Sequence, residues 1–93
     1  MISMAEQSAA RRAEPHVVYR LFASDDVMLY VGLSVARNLV VRLRYHRRRQ
    51  PWWAEVRRAE TTWHPSFESA AALEAGLVRT GGPRENRRVT TRF

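Results

Sequence analysis

Two short, mainly apolar runs flank the polar triplet Ser24-Asp25-Asp26 near the start of the chain. The runs, residues 16–23 and 27–33, are rich in β-branched and aromatic residues, which favour strands. The triplet has the composition of a turn. The pattern therefore predicts an antiparallel β-hairpin.

The hairpin register follows if Asp25 and Asp26 form the centre of the loop. Tyr19 then pairs with Gly32, and Leu21 pairs with Tyr30. Paired side chains lie on the same face of a sheet, so both tyrosines share one face and Gly32 leaves space opposite the Tyr19 ring. A bulge or a different loop would place the two tyrosines on opposite faces.

Apolar positions then repeat with a helical period over residues 36–49, where Leu39, Leu43 and His46 lie along one side. Arg42 and His46 are four residues apart, so their side chains are neighbours on this helix. Pro51 occupies a favoured first position for a short helix over 52–58.

A third strand is predicted over residues 60–63, followed by a helix that Ser66 caps and that Gly81-Gly82-Pro83 ends. Glu74 lies three or four residues from most apolar positions of this helix, so it falls on the buried stripe. A carboxylate there costs free energy unless something compensates it. It either reaches water or an arginine at the edge of the stripe, or it is a metal ligand or an acid–base group.

The predicted fold class is α+β, in one domain over residues 15–93. Residues 1–14 have no apolar period and are interpreted as a flexible arm, with some helix as the alternative. No segment is apolar enough for a membrane span or a signal peptide. We therefore expect a cytoplasmic protein with no membrane partner.

Charge indicates the class of partner. The sixteen basic residues are all arginine and outnumber nine acidic residues, so the formal net charge is +7, which favours binding to a polyanion such as DNA. The absence of cysteine excludes a disulfide framework and thiolate chemistry. The residues expected to contact nucleic acid are Arg44, Arg47, Arg48, Arg49, Arg84, Arg87, Arg88 and, by base stacking, Trp52. For Trp52 the alternative is that it closes the core between helix and sheet.

Several short motifs together resemble the GIY-YIG endonuclease family. Val17-Val18-Tyr19 and Tyr30-Val31-Gly32 are similar to its two name-giving tripeptides, with Val17 in place of the first glycine. The remaining family positions are matched by Arg42, His46, Glu74 and Asn86. The spacing after Gly32 is about two residues longer than expected, so Arg44 is the alternative to Arg42.

The resemblance implies a three-stranded antiparallel sheet flanked by helices, and hydrolysis of DNA phosphodiester bonds with one Mg²⁺ or Mn²⁺ held by Glu74. By resemblance, Tyr19 would deprotonate the attacking water and Tyr30 would position the water or the phosphate. Arg42 would neutralise charge on the phosphate, and His46 would assist proton transfer or hold the phosphate. Asn86 would hold the face of the site together or contact the substrate.

Other functions stay open at this point. The arginines equally suit a non-catalytic nucleic-acid-binding module on the same fold, or a small basic protein of a ribonucleoprotein. With no second domain to read bases, an endonuclease of this size is expected to have low sequence specificity. It would act on particular DNA structures, with a recruiting protein, or as a homodimer, in DNA repair, a mobile element or phage biology.

Overall fold

The computed structural model describes residues 3–86, and a three-stranded antiparallel sheet with the strand order β2-β1-β3 forms its centre. The strands are β1 (His16–Phe22), β2 (Met28–Val35) and β3 (Arg58–His64). The α-helices are α1 (Met4–Ala13), α2 (Leu39–Arg49) and α3 (Phe67–Gly81). Short 3₁₀ turns cover Ser24–Asp26, Ala36–Asn38 and Pro51–Glu55. The predicted α+β class is confirmed.

The register of the β1–β2 hairpin agrees with the prediction. Tyr19 pairs with Gly32 and Leu21 pairs with Tyr30. The ladder becomes irregular only beyond Leu21, towards the loop, where Phe22 pairs with Met28. Because this irregularity lies beyond both tyrosines, their side chains share one sheet face.

Each face of the sheet has its own apolar cluster, as expected from alternating side chains. On the face with the tyrosines, the fully or nearly buried members are Tyr19, Leu21, Leu29 and Trp52, and Leu39 and Leu43 of α2 pack against them. On the opposite face the buried members are Val18, Val31 and Ala70, and Leu73, Leu77 and Val78 of α3 pack against them. Helix α2 therefore covers the tyrosine face, and α3 covers the other.

The N-terminal segment differs from the predicted flexible arm because residues Met4–Ala13 form a helix. Ser3 and Glu6 make a reciprocal capping box: the Ser3 hydroxyl accepts from the Glu6 amide, and the Glu6 carboxylate accepts from the Ser3 amide. Arg12 of α1 pairs with Glu68 of α3 at 2.7 Å. Helix α1 buries none of its own residues, so it has no apolar period for sequence analysis to detect.

Other boundaries shift by a few residues. The short helix predicted over 52–58 is a 3₁₀ turn that ends at Glu55, and β3 begins at Arg58 rather than residue 60. Ser66 caps α3 as predicted, and Gly82 ends it with a φ of 57°, in the left-handed region where glycine carries no steric penalty. Among residues 3–86, no helix combines the length and apolar character that crossing a membrane requires.

Candidate active site

Strands β1 and β2 supply two phenols on one face. Tyr19 has no exposed surface, and its ring lies across Gly32: a Cβ at Gly32 would be 2.1 Å from Tyr19 Cζ and 2.3 Å from its hydroxyl oxygen. The space predicted opposite Tyr19 is therefore real and is filled by the ring itself. Tyr30 is half-buried, with its ring centroid 6.1 Å from that of Tyr19.

Helix α2 places His46 against the Tyr19 hydroxyl. His46 is 3 % exposed, and its Nε2 lies 2.7 Å from the Tyr19 oxygen. Burial raises the pKa of Tyr19 and lowers the pKa of His46, so both groups are neutral at ordinary pH. In the tautomer with its proton on Nδ1, the imidazole accepts the phenol proton at Nε2; in the other tautomer, Nε2 donates to the Tyr19 oxygen. Nδ1 of His46 is buried and has no partner among residues 3–86. A single hydrogen bond therefore joins the phenol and the imidazole.

Arg42 and Glu74 bring opposite charges to the two phenols. Burial raises the pKa of the Glu74 carboxyl, and the charge of Arg42 acts in the opposite direction. Besides burial, the largest cause, Arg42 lowers and Glu74 raises the pKa of Tyr30, and both charges also act on Tyr19. The chain from Ser3 to Asn86 provides no hydrogen bond or ion pair to Glu74. Four elements, β1, β2, α2 and α3, therefore place these groups within electrostatic reach of one another.

Arg44, the alternative to Arg42, lies on the other flank of α2. It lines a shallow groove of about 190 Å³ with Val40, Leu43, Arg47 and Trp53. None of the pKa shifts of the two tyrosines, His46 or Glu74 has Arg44 as a cause, whereas Arg42 acts on all four. The structure therefore favours Arg42 as the arginine of the site.

Trp52 does not have the exposure that base stacking requires. It is 7 % exposed, and its ring stacks on Tyr30 with centroids 5.3 Å apart and an interplanar angle of 21°. It also contacts the His46 ring at a centroid distance of 5.7 Å. Of the two roles expected for Trp52, its burial supports closing the core between helix and sheet, because the indole fills the space between the 3₁₀ turn and the sheet. Trp52 supports Tyr30 and His46 from behind.

Asn86 holds the edge of β2 rather than facing solvent. Its Oδ1 accepts from the Val31 amide at 2.8 Å, and its Nδ2 donates to the Val31 carbonyl at 2.9 Å. Just before it, the Arg84 amide donates to the Met28 carbonyl and the Glu85 amide donates to the Leu29 carbonyl. Of the two roles expected for Asn86, holding the site together is the one that its contacts support, because Val31 lies between Tyr30 and Gly32.

The predicted phosphate-binding arginines divide into two groups. Arg84 pairs with Glu55 at 2.6 Å and with Glu85 at 2.8 Å, so its charge is already compensated within the protein. Besides Arg42, the exposed arginines of α2 without an ion pair in the described part of the chain are Arg44, Arg47, Arg48 and Arg49. Arg87 and Arg88 lie outside the described residues. The basic surface that the structure supports is therefore the outer side of α2.

Trp63 was predicted only as the last residue of the third strand. It pairs with Val17, two residues from Tyr19, and so lies on the sheet face that carries the phenols. Its side chain is 68 % exposed. The alternation of residues in β3, combined with the hairpin register, was the signal that could have placed it beside the site.

A magnesium ion would have one carboxylate here. No group of three or more histidine, cysteine, aspartate or glutamate side chains that could hold a metal occurs among residues 3–86. Mg²⁺ binds through as few as one or two carboxylates, keeps several waters and uses substrate phosphates as further ligands. Glu74, half-buried and without a bonded partner among the described residues, fits that role.

Comparison with known proteins adds no relative: no protein-family model, curated protein or solved structure matches the chain.

Proposed function

We propose that this protein is a metal-dependent endonuclease of the GIY-YIG type, which hydrolyses DNA phosphodiester bonds with little sequence specificity. One observation carries the proposal. Tyr19, Tyr30, Arg42, His46 and Glu74, far apart in the sequence, form one electrostatically coupled cluster, with a 2.7 Å contact between Tyr19 and His46.

In the proposed reaction, the Tyr19 oxygen takes a proton from the attacking water. The proton of its own hydroxyl passes to Nε2 of His46 across their hydrogen bond. The water oxygen forms a bond to phosphorus while one P–O ester bond breaks, and a second water protonates the leaving oxygen. Arg42 stabilises negative charge that develops on the phosphate oxygens. Tyr30, the less buried of the two phenols, holds the water or the phosphate in position.

Glu74 would hold a Mg²⁺ or Mn²⁺ ion. A bound divalent ion supplies Lewis-acid stabilisation of the phosphate and lowers the pKa of bound water. The ion would also compensate the cost of burying half of the Glu74 carboxylate.

Tyr19 must become accessible during the reaction, since it has no exposed surface here. Arg42 is exposed, and its charge acts on both phenols, so it can meet a phosphate that approaches them.

The arginines on α2 would supply contacts to phosphates on either side of the cut. Such contacts carry no sequence information, so a recruiting protein, a homodimer or the shape of the DNA would set the target. The proposal places the protein in the cytoplasm, in DNA repair or in the handling of mobile or phage DNA.

The test is nicking of supercoiled plasmid by the wild type and by Glu74→Ala, with Mg²⁺, Mn²⁺ or EDTA. We expect metal-dependent nicking by the wild type, no nicking by Glu74→Ala, and similar DNA binding by both. Glu68→Ala, which removes an exposed carboxylate from the same helix, is the matched control and should nick normally. Nicking that survives Glu74→Ala would contradict the proposal.

The second candidate is a non-catalytic nucleic-acid-binding module on the same fold. Two observations favour it: the single carboxylate at the site, and the complete burial of Tyr19. It predicts salt-sensitive DNA binding with no cleavage under any divalent cation.

A further inference from the structure

An exposed row of side chains on β3 borders the candidate site. Thr61 pairs with Tyr19, and Trp63 pairs with Val17, so both lie on the face that carries the phenols. Ala59 occupies the next position on this face. We call these three residues, Ala59, Thr61 and Trp63, the β3 shelf. All three are exposed, whereas Glu60, Thr62 and His64, on the other face of β3, are half-buried.

The shelf is open because the elements above this face cover only the other two strands. The apolar residues that pack on the buried cluster of the tyrosine face come from β2, α2, Ala23 and the segment 53–56, and none of them belongs to β3. The shelf also carries no negative charge. Glu60, the carboxylate nearest to it in sequence, belongs to the opposite face and pairs with Arg20 at 3.5 Å. An anionic strand can therefore approach Trp63 without repulsion from its neighbours in β3.

Trp63 lies close to the proposed chemistry. As a diagonal neighbour of Tyr19 across two antiparallel strands, its Cα is about 7–8 Å from that of Tyr19. A nucleotide bound at Tyr19 and Arg42 would thus place a neighbouring base over the indole. Stacking on the face of a base requires that the base be unpaired or extruded from the duplex.

We propose that Trp63 stacks on an unpaired nucleobase of the strand whose phosphate occupies the candidate site. The substrate is then DNA with a single-stranded element at the cut, such as a flap or a branch, rather than uniform duplex. This inference rests on the proposed function. It deepens that proposal by naming the class of substrate.

The test uses the Glu74→Ala background, in which bound DNA should stay intact. Fluorescence anisotropy compares a labelled single-stranded oligonucleotide, a blunt duplex of the same length and a duplex with a single-stranded flap. Trp63→Ala should weaken binding of the single strand and the flap by about 5- to 150-fold, the range for losing one stacked base, and leave duplex binding unchanged. Trp63→Phe should restore most of the loss. Val27→Ala, which trims a 45 % exposed side chain beside the hairpin loop, is the control and should change nothing.

Equal losses on all three DNAs would overturn the inference, because Trp63 would then not read unpaired bases. No loss on any of them would also overturn it, and a change in mass by analytical ultracentrifugation would then assign the shelf to contact with a second copy. Nicking of the same DNAs by the wild type tests the proposed function separately. Cleavage that is indifferent to Trp63 contradicts only the stacking, and Trp63-dependent binding without any cleavage contradicts only the nuclease.

Discussion

The Tyr19 hydroxyl and Nε2 of His46 lie 2.7 Å apart, although 27 positions separate the two residues in the chain. One residue belongs to the central strand and the other to α2. Both are buried, which holds the phenol and the imidazole neutral. The contact defines which atom can receive the Tyr19 proton, and so makes the proposed chemistry testable by pH.

His46→Asn should reduce the cleavage rate by about 10²–10⁴-fold, the usual contribution of a general base. Only neutral imidazole accepts a proton, so the rate falls as pH drops through the pKa of His46. Because burial lowers that pKa, the acid limb should lie below the ordinary histidine value of about 6.5. The measurement is the pH dependence of nicking, with His64→Asn as the control. An acid limb that persists in His46→Asn would assign it to another group.

Gly32→Ala should destabilise the fold by about 1–3 kcal/mol, as overpacking does, and abolish cleavage. The new Cβ would overlap the buried Tyr19 ring, with 2.1 Å to Cζ. Gly76→Ala is the matched control: its nearest atom is 4.0 Å away, and alanine should stabilise α3 by about 0.5–1 kcal/mol. Urea unfolding measures both. In a Tyr19→Ala background the Gly32→Ala penalty should disappear; a penalty that persists would place the clash elsewhere.

Glu74→Gln should be more stable than the wild type at neutral pH. Burial raises the folded-state pKa of Glu74, so the unfolded chain loses its proton first as pH rises. Stability is therefore lost between the ordinary glutamate pKa, about 4.3, and the raised value. As pH rises through this window, the melting temperature of the wild type should fall below that of Glu74→Gln. Mg²⁺ should raise the melting temperature of the wild type only. Glu68→Gln should have the opposite sign, because a backbone hydrogen bond and Arg12 lower the pKa of Glu68.

Asn86→Ala should cost about 2 kcal/mol or more, because the amide and carbonyl of the buried Val31 lose their partners together. Hydrogen exchange of the Val31 amide should accelerate, and cleavage should fall as β2 loosens. Asn86→Asp keeps the acceptor for the Val31 amide, but its carboxylate repels the Val31 carbonyl oxygen. Its stability should therefore be no higher than that of Asn86→Ala. If stability and exchange were unchanged while cleavage was lost, Asn86 would instead contact the substrate.

Arg47→Ala and Arg84→Ala should separate phosphate contacts from structural ion pairs. Arg47 has no ion pair in the described part of the chain, so its loss should reduce the slope of log K against log salt by about 0.7–0.9. Arg84 is held by Glu55 and Glu85, and its loss should lower the melting temperature with no change in slope. DNA binding at several salt concentrations, together with thermal unfolding, measures both. A reduced slope for Arg84→Ala would show that it leaves its carboxylates for DNA.

Local rules were sufficient for the hairpin and for the place of Glu74. The turn triplet sets the loop, the loop sets the register, and the register puts Gly32 opposite Tyr19. The helical period likewise placed Glu74 on the stripe of α3 that faces the sheet. Both inferences depend on residues near one another in sequence, or on a single repeat.

Long-range pairing was beyond these rules. Whether Arg84 meets a phosphate or Glu55 depends on a contact between residues 29 positions apart, which charge counting cannot reveal. The sequence alone does not distinguish the exposure of Trp52 from that of Trp63. Trp52 is 7 % exposed because packed elements cover it, whereas Trp63 is 68 % exposed. Helix α1 was predicted only as some helix within a flexible arm, because a cap and an ion pair hold it rather than an apolar stripe.

The short segment after α3 has a further consequence for behaviour in solution. By bonding along β2 at Met28, Leu29 and Val31, it occupies backbone groups that would otherwise recruit a strand from another molecule. A chain cut after Gly82 would expose this row at the side of the sheet beside the phenols. Such a truncated protein should aggregate by strand addition at β2. The segment that holds the site together therefore also blocks intermolecular pairing at this edge of the sheet.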